Sequence, residues 1–147
     1  MDEPVGHLDV APTLCEIAGV DVPDWMHGRP LPIDGASARD QDRQRVLTEW
    51  DSEFNGITHH LRTIFRDGWI CTAYLPSNVY EGTEGELYRV EDDPHQRVNL
   101  WDDPAHRSVR DDLVADLHDH LPEPRAERLG DGRSASARRG QRWASWT

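Results

Sequence analysis

Residues 60–74, HLRTIFRDGWICTAY, decide how this chain folds. His60 to Phe65 and Trp69 to Tyr74 are rich in β-branched and aromatic residues, and they flank Arg66-Asp67-Gly68. Asp-Gly accepts the positive φ angles of a tight hairpin turn, so the two runs are predicted to pair antiparallel. Outward from this hairpin, Arg45 to Trp50 (RVLTEW) and Glu86 to Val90 (ELYRV) read as further short strands, with Leu75 to Gly85 as a long glycine-containing loop. The expectation is an α+β fold with a small antiparallel sheet of three to four strands.

The remaining elements are helical. Asp103 as N-cap and Pro104 as first helical residue precede Val109, Leu113, Leu117 and Leu121 at four-residue spacing. That stripe predicts a helix lying on the sheet and ending at Pro122, with Asp112, Asp116 and Asp119 facing water. A shorter helix is predicted over residues 9–19: Asp9 caps it, Pro12 fits its first turn, Val10, Leu14, Ile17 and Ala18 form its apolar stripe, and Gly19 ends it. Three prolines and a glycine between Val20 and Pro32 predict a loop pinned by Trp25 and Met26. Asp34 to Gln44 is polar and reads as an exposed connection. After Pro122 six Arg stand against three acidic residues without apolar periodicity, the pattern of a disordered tail.

Composition narrows the partners. The net charge is −12, all 16 basic residues are Arg, and Asp outnumbers Glu by 18 to 10. Such a surface repels nucleic acid and anionic membranes, so neither is expected as a partner. Two origins stand open for the bias: a high-salt cytoplasm, where salt screens the self-repulsion of a halophilic acidic surface, and a G+C-rich genome that favours Arg codons. No run of even ten apolar residues exists to span a membrane. Cys15 and Cys71 lack the spacing of a disulfide framework or zinc site and read as reduced core residues. No apolar segment follows Met1, which favours the cytoplasm if Met1 is a true start; an internal Met1 would leave the compartment unread.

Two strings carry a resemblance. Gly6-His7-Leu8-Asp9-Val10-Ala11-Pro12-Thr13-Leu14, then Ile17-Ala18-Gly19-Val20 and His27-Gly28-Arg29-Pro30-Leu31, resemble the segment that closes the catalytic domain of sulfatases, in the alkaline phosphatase superfamily. Gly85-Glu86-Leu87-Tyr88, Asp92-Asp93-Pro94, Asn99-Leu100 and Asp102-Asp103-Pro104 resemble the run before the last sulfatase helix. The resemblance divides the chain into the end of the catalytic α/β domain (1–32), a linker (33–44), a C-terminal subdomain (45–122) and an Arg-rich tail (123–147). It also implies, for a full-length parent, hydrolysis of a sulfate ester by a formylglycine nucleophile beside a divalent cation, usually Ca²⁺. Such chemistry needs a cation and positive side chains to stabilise charge on the ester oxygens while the nucleophile attacks sulfur.

The chain lacks those parts. Cys15 is followed by Glu-Ile-Ala-Gly and Cys71 by Thr-Ala-Tyr-Leu, no Ser opens an S-x-P-x-R motif, and there is no Lys. No catalytic residue, metal ligand or cofactor is therefore expected here, and the expectation is a sulfatase fragment, inactive alone, whose sulfate-ester substrate belongs to the parent. A fragment of a related phosphonate or phosphate ester hydrolase and a stand-alone acidic binding module remain as alternatives. A zinc site from His59, His60, Cys71 and Glu49 is disfavoured because adjacent strand residues face opposite ways. His7 and Asp9 share a face, but capping explains Asp9 better. As loops on a rigid scaffold, Trp50 to His60 and Ser77 to Gly85 are candidates to border the parent's substrate cleft, with Glu49, His59 and His60 as the candidate residues. Alone, the fragment is expected to expose the stripe of residues 10–18 and to self-associate.

Overall fold

A computed structural model describes residues 4–31 and 44–121. All of the expected linker but Gln44, the helix end at Pro122 and the Arg-rich tail lie outside the described residues. A 3₁₀ turn (His7–Asp9) leads into α1 (Val10–Ile17); β1 (Arg45–Phe54), β2 (Ile57–Arg66), β3 (Trp69–Tyr74) and β4 (Gly85–Arg89) follow; a second 3₁₀ turn (Pro104–His106) opens α2 (Arg107–His120). The four strands form one antiparallel sheet in the order β1-β2-β3-β4, so the α+β expectation holds.

Turn chemistry sets the register. Asp67 and Gly68 have φ of 53° and 77°, as the Asp-Gly signal required. Asn55 and Gly56 have φ of 53° and 76°, the same device in a second tight turn. This corrects the loop expected from Trp50 to His60: β1 and β2 each run ten residues, and that stretch is the outer half of their hairpin.

Pairing sorts the side chains. Leu47 opposes Ile64, Ile64 opposes Cys71, and Cys71 opposes Leu87, giving an apolar row on the face that receives α2. Ile64, Cys71 and Leu87 are fully buried there beneath Leu113 and Leu117, with Trp101 closing one side. Burial of each large aliphatic side chain in this layer stabilises the fold by about 1.5–3 kcal/mol. Val109 and Leu121 pack against the rim of the core, so the predicted stripe of α2 is the one used.

The edge of β4 away from β3 is closed by the Leu100 amide, which donates to the Leu87 carbonyl at 2.9 Å, and by the Asn99 side chain. Asn99 Oδ1 accepts from the Leu87 and Trp101 amides at 3.0 Å each, while its Nδ2 donates to the Gly85 carbonyl at 3.0 Å. A Cβ on Gly85 would stand 2.5 Å from the Trp101 ring, which is why the strand opens on glycine.

Four expectations are corrected by tertiary contacts. Asp116 is buried, accepting hydrogen bonds from the guanidinium groups of Arg45 and Arg66, which face each other at the base of β1 and β2. Only Asp112 and Asp119 face water from that side of α2. Asp9 makes no side-chain cap on α1; Oδ2 accepts from the Gly6 amide at 3.0 Å and Oδ1 from the Arg29 amide at 2.9 Å. With the Leu31 amide donating to Thr13 Oγ1 at 2.9 Å, these polar bonds fasten the loop after α1, while Trp25 stays 70% exposed. Cys15 is only partly buried, whereas Cys71 lies in the core, and burial pushes its thiol up to about 12.

Candidate functional site

The Asn55-Gly56 turn brings four polar side chains onto the face of the sheet that α2 covers. It sets Glu49 opposite Arg62 and Asp51 opposite His60, and residues directly opposed in an antiparallel pair share a face. Arg62 grips Asp51 with both terminal nitrogens, Nη1 to Oδ1 at 3.0 Å and Nη2 to Oδ2 at 3.1 Å. His60 Nδ1 lies 2.9 Å from the same Oδ1, and Glu49 Oε2 stands 3.8 Å from Arg62 Nη2. Burial alone would raise the Asp51 pKa; the hydrogen bonds from Arg62 and His60 outweigh it and hold the carboxyl below its ordinary value.

This cluster carries one guanidinium between two carboxylates, so its cation is already matched. It holds an imidazole in a fixed orientation, but it presents no hydroxyl or thiol nucleophile. Among the described residues no group of three or more His, Cys, Asp or Glu is arranged to hold a metal.

Strand alternation separates the candidate residues. His60 and Glu49 share the α2 face with Arg62, whereas His59 lies on the opposite face, its ring 6.0 Å from Tyr80. Tyr80 packs at 4.8 Å on Tyr74, whose hydroxyl donates to Glu86 Oε1 at 2.6 Å. Burial first, and this carboxylate second, push the Tyr74 phenol upward. The loop from Ser77 to Gly85 also meets the hairpin tip directly: the Thr58 amide donates to Asn78 Oδ1 at 2.9 Å, and Asn78 Nδ2 donates to the Gly56 carbonyl. The two predicted cleft segments thus adjoin, and His59 is the candidate that stands between them. Sequence reading missed Asp51 and Arg62; the Asn55-Gly56 dipeptide, which fixes their partners, was the available signal.

Comparison with known proteins places these elements. Residues 1–123 match the family described as N-sulphoglucosamine sulphohydrolase, C-terminal. The chain is 33% identical over 126 residues to a Delta 4,5-hexuronate-2-O-sulfatase of Bacteroides thetaiotaomicron, a match covering 81% of this chain and 25% of that protein. A solved 2-O GAG sulfatase superposes with a TM-score of 0.65 and 32% identity over 81% of this chain and 26% of its own. A second structure, in complex with its substrate D-glucosamine-2-N,6-O-disulfate, gives a TM-score of 0.59 at 21% identity, covering 76% of this chain and 22% of that one, and shows the shared fold. The chain spans about a quarter of the length of the relatives it matches.

Proposed function

Because the chain belongs to the N-sulphoglucosamine sulphohydrolase C-terminal family, we propose that it completes a larger sulfuric ester hydrolase and does not turn over substrate alone. One observation carries this reading. Val10, Leu14 and Ile17 on α1 are 47%, 58% and 60% exposed and Leu8 in the turn before it 67%, so this apolar stripe faces away from the chain's own sheet. An apolar face left open on an otherwise polar chain is the mark of a surface made to be covered. Its complement is the rest of such an enzyme, since the match covers only 25% and 26% of the two relatives' lengths. The missing nucleophile motif and the absence of Lys support the same reading from the sequence.

The substrate of the assembled enzyme is a sulfated saccharide, on the strength of the 2-O-sulfatase relatives. The joined surface of the Asn55-Gly56 hairpin tip and the Ser77 to Gly85 loop, with His59 on it, borders the cleft and bears on substrate choice. His60 and Glu49 act there only indirectly, by holding β1 and β2 in register through Arg62 and Asp51.

Two measurements test this. The purified chain is expected to release no sulfate from an aryl sulfate above the buffer rate; turnover that copurifies with it would overturn the proposal. Ile17→Asp is expected to reduce self-association in analytical ultracentrifugation while changing the stability of the chain by no more than about 0.5 kcal/mol, since the side chain is already in water. Unaltered association would show that the α1 stripe is not the sticky face.

A further inference from the structure

The tip of the β1–β2 hairpin carries Asn55-Gly56, and residues 53–57 are all exposed. In an Asn-Gly pair the side chain can react with its own backbone: the following nitrogen closes on the carboxamide carbon as a five-membered ring, and glycine leaves that approach unhindered. Nothing stands within 4 Å of where a Cβ on Gly56 would lie. The other two asparagines of the chain precede branched side chains, Val79 and Leu100. Their carboxamides are also committed at both ends, Asn78 to the Thr58 amide and the Gly56 carbonyl, Asn99 to the Leu87 and Trp101 amides and the Gly85 carbonyl.

The folded turn resists the reaction. Asn55 and Gly56 have φ of 53° and 76° and stand between the Phe54–Ile57 pair. Bringing the Gly56 nitrogen round to the carboxamide rotates the peptide unit between the two residues, so a loop of only two residues must first open. The core does little to keep it shut, since Phe54 and Ile57 are 71% and 41% exposed. Asn78 holds it from outside, accepting from the Thr58 amide at 2.9 Å and donating to the Gly56 carbonyl. Loss of those two hydrogen bonds favours local opening, and a reaction confined to the open form speeds up by the same factor.

We propose that Asn55 is a site of spontaneous backbone modification and that Asn78 governs its rate. The Gly56 nitrogen gives up its proton to base and bonds to Asn55 Cγ; the Cγ–Nδ2 bond breaks and ammonia leaves, forming a succinimide. Water then opens the ring at either carbonyl, to aspartate or to isoaspartate. One water is consumed, one ammonia is released, and nothing is oxidised or reduced. Isoaspartate routes the main chain through Cβ and Cγ, which adds one backbone atom to the two-residue turn that sets β1 on β2. The reaction needs only these residues and water, so it stands or falls independently of the function proposed above.

The test is incubation of the 147-residue chain in mildly alkaline and in mildly acidic buffer, followed by peptide mapping with mass spectrometry that tells isoaspartate from aspartate. Asn55 is expected to convert in the alkaline sample ahead of Asn78 and Asn99, mainly to isoaspartate, and far more slowly in acid. Asn78→Ala is expected to speed the conversion of Asn55 about tenfold. Unfolding the parent chain in urea is expected to speed it at least as much, which carries the test should the variant not fold. In NMR spectra the isoaspartate form is expected to shift the Thr58 amide and the Asn78 carboxamide, and Asn55→Asp, which adds the charge without the extra atom, to shift them less. No conversion at Asn55, earlier conversion at Asn78 or Asn99, aspartate as the sole product, unmoved resonances in the isoaspartate form, or an unchanged rate in folded Asn78→Ala or in urea would each overturn the proposal.

Discussion

Replacing Asp116 by Asn removes a charge and leaves the side-chain volume unchanged, at a position where the carboxylate joins α2 to both long strands. The side chain is 8% exposed and takes hydrogen bonds from Arg45 and Arg66, which are 29% and 19% exposed. Breaking a fully buried pair by removing one partner costs about 3–5 kcal/mol. Both guanidinium groups here keep some contact with water, and Arg66 retains Asp112, so the appropriate figure is lower, about 2 kcal/mol. Asp119 sits on the same helix with its side chain in water, and its change to Asn is expected to cost no more than about 0.5 kcal/mol. Urea unfolding followed by circular dichroism reads both. With a slope of roughly 1–3 kcal/mol per molar, the Asp116→Asn midpoint falls by about 0.7–2 M at unchanged slope. If the two variants unfold together, the buried ion-pair cluster is not what binds α2 to the base of the hairpin.

Two further outcomes follow from the same reasoning. Asn99→Ala removes three hydrogen bonds, two of them on the edge of β4, and is expected to cost about 2 kcal/mol, with hydrogen exchange at the Leu87 amide accelerating more than at amides of β2. Asp51 titrates below the ordinary carboxylate value of about 3.9, so its contribution to stability is fully present above that pH and is lost as pH falls through its folded value. Asp51→Asn is therefore expected to be destabilised at pH 7 and to approach the parent chain's stability in acid, which denaturant melts between pH 2 and pH 7 would reveal; a constant difference across that range would refute the linkage.

The strings that resemble sulfatases turn out to be scaffold. Gly85 makes room for the Trp101 ring, Asn99 replaces a missing strand, Asp93 Oδ2 accepts from the amides of Arg97 and Val98, and Asp103 caps the turn into α2. Each holds the backbone in a shape that few other residues would permit. Such a sequence identifies relatives while saying little about substrate, which is why the family was legible from it.

From sequence alone came the hairpin of residues 60–74, the stripe from Val109 to Leu121, the glycine that ends α1 at φ 68° and the outward-facing stripe of that helix. These rest on turn dihedrals and periodicity, which each residue settles with its near neighbours. The polar contacts did not yield to that reading. Arg45 and Asp116 are 71 residues apart, and nothing near Asp116 marks it as the one aspartate of its helix face that turns inward. The pairing of Arg62 with Asp51 depends on where one two-residue turn falls, because a strand register shifted by a single residue exchanges the two faces. Which charges are buried, and against what, is settled only when distant strands and the helix meet, since the energy of a buried charge depends on its partner's position in space.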